Sequence, residues 1–123
     1  MPLIRFVARS LFSTIFVIAG YKSMTDPGRR TEMVSKTLPL PEPELMVRLN
    51  GGSMLLGGTA LALGVKPRLA ALGLAAALVP TTYAGHQFWA QTDPMARRNQ
   101  EIHFEKNVSL IGGLLAYALS SDD

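Results

Sequence analysis

The chain has no cysteine, and that absence alone removes disulfides, thiolate metal sites, iron–sulfur clusters and redox thiols. Any redox chemistry must be borrowed from a bound group or a partner. Charge is also scarce: Asp, Glu, Lys and Arg make up 17% of the 123 residues, against about 25% in an average soluble domain. With 48% hydrophobic residues a disordered chain is excluded, and the length suits one domain, residues 1–123. The net charge of +3 does not point to nucleic acid, because the twelve basic residues are scattered among nine acidic ones. No nucleophile elbow, phosphate-binding loop or dinucleotide fingerprint occurs, so nothing marks the chain as catalytic by itself.

What the sequence has is runs without charge. A bilayer core about 30 Å thick requires about 20 residues of helix. Residues 10–21 are uncharged, and Leu3, Ile4, Phe6 and Val7 extend that run backwards past Arg5 and Arg9, which can snorkel to the interface. Residues 49–65 form a second run and residues 69–92 a third, in which His86 is the sole ionisable group apart from tyrosine. Residues 107–121 form a fourth, lengthened by Ile102 and Phe104. These runs predict membrane spans near residues 3–23, 44–65, 68–91 and 103–120: an all-α, polytopic four-helix membrane bundle. A soluble bundle is the competing reading, but residues 69–80 offer no polar face to water. A cleavable leader ending near Val17 and Ala19 also fits the first run, which we expect to be retained.

The links complete the plan. One long loop, residues 25–44, is expected between the first two helices, opened by Asp26-Pro27-Gly28 and closed by Pro39, Pro41 and Pro43. Within it, residues 30–37 read equally as a solvated loop or as a short interfacial helix with Glu32 and Lys36 paired and Met33 and Val34 facing lipid or protein. Ser53 with Gly57, Gly58 with Ala62, Gly73 with Ala77, and Gly112 with Ala116 have the small-residue spacing of close helix crossings. Self-association is compatible with this sequence. Pro80 is expected to kink the third helix, with Thr81 and Thr82 to satisfy the freed carbonyls, and Asn50 reads as an interhelical hydrogen-bond donor. The basic residues are more numerous on the side of the long loop, yet Arg5 and Arg9 precede the first helix, which sets the expectation of cytoplasmic termini.

Chemistry-bearing residues converge at one place. His86-Gln87-Phe88-Trp89 ends the third run and His103-Phe104-Glu105-Lys106 opens the fourth, so both fall on the same membrane side. His86, Trp89, His103 and Lys106 would give a quinone head group hydrogen-bond partners and aromatic walls. The plain alternative is an interfacial aromatic belt. A metal site is not expected, because Glu101 and Glu105 share a helix face that His103 does not.

Arg9-Ser10-Leu11-Phe12 leading to Ala19-Gly20-Tyr21-Lys22, a glycine-rich second helix followed by Pro67-Arg68-Leu69-Ala70-Ala71, and Phe104-Glu105-Lys106-Asn107 before Ile111-Gly112-Gly113-Leu114-Leu115 resemble the DoxX family of small bacterial membrane proteins. The resemblance covers nearly the whole chain, and its most specific parts are residues 86–89 and Lys106-Asn107 with Gly112-Gly113. It implies four membrane helices and a redox neighbourhood, since the family is named for similarity to a membrane subunit of thiosulfate:quinone oxidoreductase. It carries no catalytic residue across. The expectation is a multi-pass protein of the bacterial plasma membrane, in contact with lipid and a protein partner, that anchors a quinone-linked redox complex or docks a soluble redox enzyme. A quinone-handling subunit is the second reading, and a lipid-binding or assembly factor the third.

Overall fold

The computed structural model describes residues 2–39 and 41–120. Five α-helices follow one another, α1 Pro2–Thr25, α2 Gly28–Thr37, α3 Pro43–Leu63, α4 Pro67–Gly85 and α5 Pro94–Ala118, with a 3₁₀ turn Phe88–Ala90 between the last two. Among the described residues there is no strand. Proline opens α3, α4 and α5, where its missing N–H would have had no intrahelical partner and its fixed φ is already helical. Helix α3 stops at Gly64, whose φ of 75° is left-handed, and the amide of Val65 folds back to the Ala60 carbonyl at 2.9 Å. The chain turns there into α4, so α3 and α4 form an antiparallel hairpin.

Helix α1 lies along α3, α3 along α4, and α4 along α5, while the short α2 packs across α3 and α4. The core between them is built from Phe16, Met54, Leu61, Leu74, Leu78 and Leu114. The closest crossing is backbone on backbone. A Cβ on Gly20 would lie 2.6 Å from the Gly51 carbonyl oxygen and the Leu55 nitrogen, and one on Gly51 would meet Ser23 at 2.6 Å. Glycine is required there by contact, which is how helices associate when side chains gain nothing by leaving lipid. Gly58 similarly meets Val17, and Gly57 meets Leu74. Gly73 and Gly112, expected at interfaces, face open space.

Asn50 Nδ2 donates to Thr81 Oγ1 at 2.8 Å, joining α3 to α4 as expected. Thr81 in turn donates to the Ala77 carbonyl at 3.0 Å, beside the carbonyl that Pro80 leaves without its amide partner. Arg48 reaches from α3 to the Met24 carbonyl at the end of α1, 2.6 Å away, placing a cation at the negative end of that helix.

Three expectations need correction. The long connection holds a helix, Gly28–Thr37, whose Met33 and Val34 turn inward, so the uninterrupted loop is not found. Glu32 and Lys36 are exposed and, among the described residues, make no salt bridge. Helix α5 begins at Pro94 rather than near 103, because Asp93 caps it by accepting from the Ala96 amide at 3.0 Å and the charged residues that follow extend the helix beyond its apolar part. Among the described residues, two helical segments are long and apolar enough to cross a membrane, Pro2–Thr25 and Pro67–Ala90. Helix α3 dilutes its apolar residues with four glycines and Arg48, and α5 carries charge through its first half. The last residue of the fourth apolar run, Ser121, lies outside the described residues.

Candidate functional site

The end of α1, the inner face of α2, the start of α3, the end of α4 and the middle of α5 surround a cavity of about 850 Å³. Its walls are apolar where the helices pack, with Phe16, Met33, Val47, Met54, Leu78 and Leu110. The charged part of its lining is positive. Lys22, Arg29, Arg30 and Lys106 reach it together with His86 and His103, and among the described residues no Asp or Glu lines it. Among the described residues none of these four cations has a salt-bridge partner. A cavity with unneutralised cations above apolar walls holds hydrogen-bond donors ready for an oxygen-rich head and room for an apolar body.

His86 follows the last residue of α4, where its amide donates to the Thr82 carbonyl at 3.2 Å and the chain leaves the helix. Its ring stacks on that of His103, centroids 5.2 Å apart and 25° from parallel, and its Nδ1 pairs with Gln100 Oε1 at 2.8 Å. Both partners come from α5, so the early start of that helix is what fixes the imidazole: Gln100 and His103 are one turn apart on it. With Nδ1 engaged, Nε2 is the ring atom left for a ligand. Lys106, one further turn along, and the buried Asn107 bring the remaining polar groups.

Of the four residues singled out from sequence, His86, His103 and Lys106 meet at the cavity, whereas Trp89 does not line it. Trp89 belongs instead to an outer aromatic group, edge-on to Phe88 at 5.2 Å, Phe104 at 5.7 Å and Tyr83 at 6.1 Å, with the Arg97 guanidinium 5.9 Å from the Phe88 ring. It is half exposed, as an interfacial anchor would be. Sequence reasoning missed Lys22, Arg29 and Arg30. The usable signal was topological, since in the four-span plan all three lie on the membrane side of His86. Among the described residues no group of three or more His, Cys, Asp and Glu is placed to hold a metal ion.

Compared with known proteins, residues 4–87 match the family model described as DoxX, from the start of α1 to the residue after His86. No curated protein and no solved structure matches the chain. The part of the cavity supplied by α5, with His103 and Lys106, therefore lies beyond the matched segment.

Proposed function

This chain belongs to the DoxX family and is a membrane protein, and from that premise we propose that it is an accessory subunit of a quinone-linked redox complex that itself holds the quinone head group. The observation that carries this reading is the cavity end where Arg30, Lys106, His86 and His103 gather without a carboxylate. The residues fit the group. Lys106 and Arg30 would donate to its carbonyl oxygens, His86 Nε2 would offer an acceptor to the reduced form, and the apolar wall would hold the ring. A bound quinone takes up and releases electrons together with protons, chemistry that a chain without cysteine lacks. Lys106 and the histidines orient the head, while the apolar lining excludes water from it. Electrons then come from a partner, which is the sense in which the subunit is accessory.

On this reading the four long helices α1, α3, α4 and α5 cross the bacterial plasma membrane, α2 closes the cavity near one surface, and both termini are cytoplasmic. Trp89 anchors that end of the bundle in the interface and is not a ligand contact.

The test is quinone content after purification in mild detergent. Wild-type protein should carry quinone, and His86→Phe and Lys106→Met should lose most of it while keeping their helical content. A wild-type protein without quinone, or variants that retain it in full, would refute the reading and favour a lipid-binding or assembly role. A stoichiometric partner retained by variants that have lost quinone would separate anchoring from quinone handling.

A further inference from the structure

We propose, resting on the quinone reading above, that the ligand enters the cavity sideways from the lipid and leaves its tail in a groove along α1, so that the site selects long-tailed quinones over tail-less ones. A second hollow of about 400 Å³ runs along the outer face of α1. Ile15, Ala19, Lys22 and Arg30 line both this hollow and the cavity, so the two spaces adjoin. The remainder of the groove is Leu11, Thr14 and Ile18. Their spacing of three and four residues draws one stripe along the helix which, carried on to Lys22, is about three turns and about 16 Å long.

That stripe is apolar in effect. The Thr14 hydroxyl donates to the Ser10 carbonyl at 3.0 Å, so its hydrogen is satisfied within the helix. Leu11 and Ile18 are 72% and 50% exposed, and α1 is one of the two segments apolar and long enough to cross a membrane. The groove therefore faces acyl chains. Its two ends differ in chemistry. At the mouth stand Lys22 and Arg30, and Lys22 lies in the last turn of α1, the depth at which basic side chains reach toward lipid head groups.

A membrane-dissolved molecule with a polar head and one long apolar tail meets that mouth with its head level with the cations. The head passes beneath Lys22 and Arg30 to His86 and Lys106, and the tail stays on Leu11, Thr14 and Ile18. A molecule without a tail gains nothing from the groove. Selection for a tail follows from contact, since a tail seated against Leu11, Ile15 and Ile18 packs on fixed side chains that a tail-less head never reaches.

The experiment uses the full chain in detergent micelles and two probes, a long-chain isoprenoid quinone and its tail-less benzoquinone head. Thr14→Trp and Ile18→Trp fill the groove on its lipid face, away from the head site. Each should weaken binding of the long-tailed quinone at least tenfold and leave the tail-less head unchanged, which also reports that the variants are folded. If both probes bind wild type and the groove variants alter neither, the groove proposal fails while the head-group reading stands. If the variants alter the oligomeric size and not the long-tailed affinity, the groove is a contact between copies and the proposal is overturned. If neither probe binds wild type, the head-group site falls and the groove proposal with it.

Discussion

Replacing Gly51 by alanine tests the α1–α3 crossing more sharply than any change to the core. The new Cβ would sit 2.6 Å from Ser23 Cβ, 2.8 Å from the Gly20 carbonyl oxygen and 3.0 Å from the Met24 amide nitrogen. Ordinary contact begins near 3.4 Å, so the helices must part by about 0.8 Å, and two of the three obstacles are backbone that no rotamer change can move. Overpacking of this kind costs about 1–3 kcal/mol, while alanine in place of glycine returns about 0.5–1 kcal/mol to the helix. Gly112→Ala supplies the control, because nothing lies within 4 Å of its Cβ and only the helical gain remains. The difference between the two variants is then the overpacking term alone, about 5- to 150-fold in the folded-to-unfolded ratio. Thermal unfolding in one detergent, followed by loss of the monodisperse species, reads it. Gly20→Ala should behave like Gly51→Ala, and Gly52→Ala, which meets only the Met24 sulfur at 3.6 Å, like Gly112→Ala. Equal destabilisation by Gly51→Ala and Gly112→Ala would refute the crossing.

Two further outcomes are expected. Asn50→Leu removes the bond from α3 to Thr81 and should cost about 0.5–1.5 kcal/mol in the same unfolding measurement; Thr81 keeps its own bond to Ala77, so no buried hydroxyl is orphaned and a larger loss would mean Asn50 does something else. Reporters active only outside the cytoplasm should stay silent at either terminus and become active when inserted after α2; the reverse pattern would invert the orientation.

Much of this architecture was legible because proline punctuates it: Pro43 and Pro67 stand at the starts of α3 and α4, beside the expected 44 and 68, while the stop at Gly64 falls just short of the expected end at 65. The start of α5 was not. A rule built on membrane thickness sees apolar windows, and Arg97, Arg98 and Glu101 broke the window without breaking the helix. Gly20 was equally invisible as an interface residue, since a lone glycine in an apolar run acquires meaning only when its opposite number, Gly51, is known. At the site, His86, His103 and Lys106 could be joined because two neighbouring helices carry them. Arg29 and Arg30 required knowing that the intervening segment folds back as α2 over the same cavity. Trp89 misled through its neighbours: four residues in a row suggested one site, but the chain leaves α4 at His86, and the 3₁₀ turn carries the indole to the outside.

The backbone contact between Gly20 and Gly51 also has a consequence for how the protein is made. At about 5–20 residues per second, α3 is synthesised seconds after α1, and on the proposed topology α1 spends that interval in the bilayer without the partner its glycine meets in the folded chain. Helix α4 stands in the same relation to α5, against which it packs. Among the described residues, the two segments long and apolar enough to cross a membrane are the earlier member of each pair, Pro2–Thr25 and Pro67–Ala90. Each later member arrives with a docking surface already waiting, and so can carry the glycines of α3 or the histidine and lysine of α5. On the proposed topology the uneven hydrophobicity of the helices follows the order of translation: in each pair the more apolar helix is laid down first and its partner packs against it afterwards.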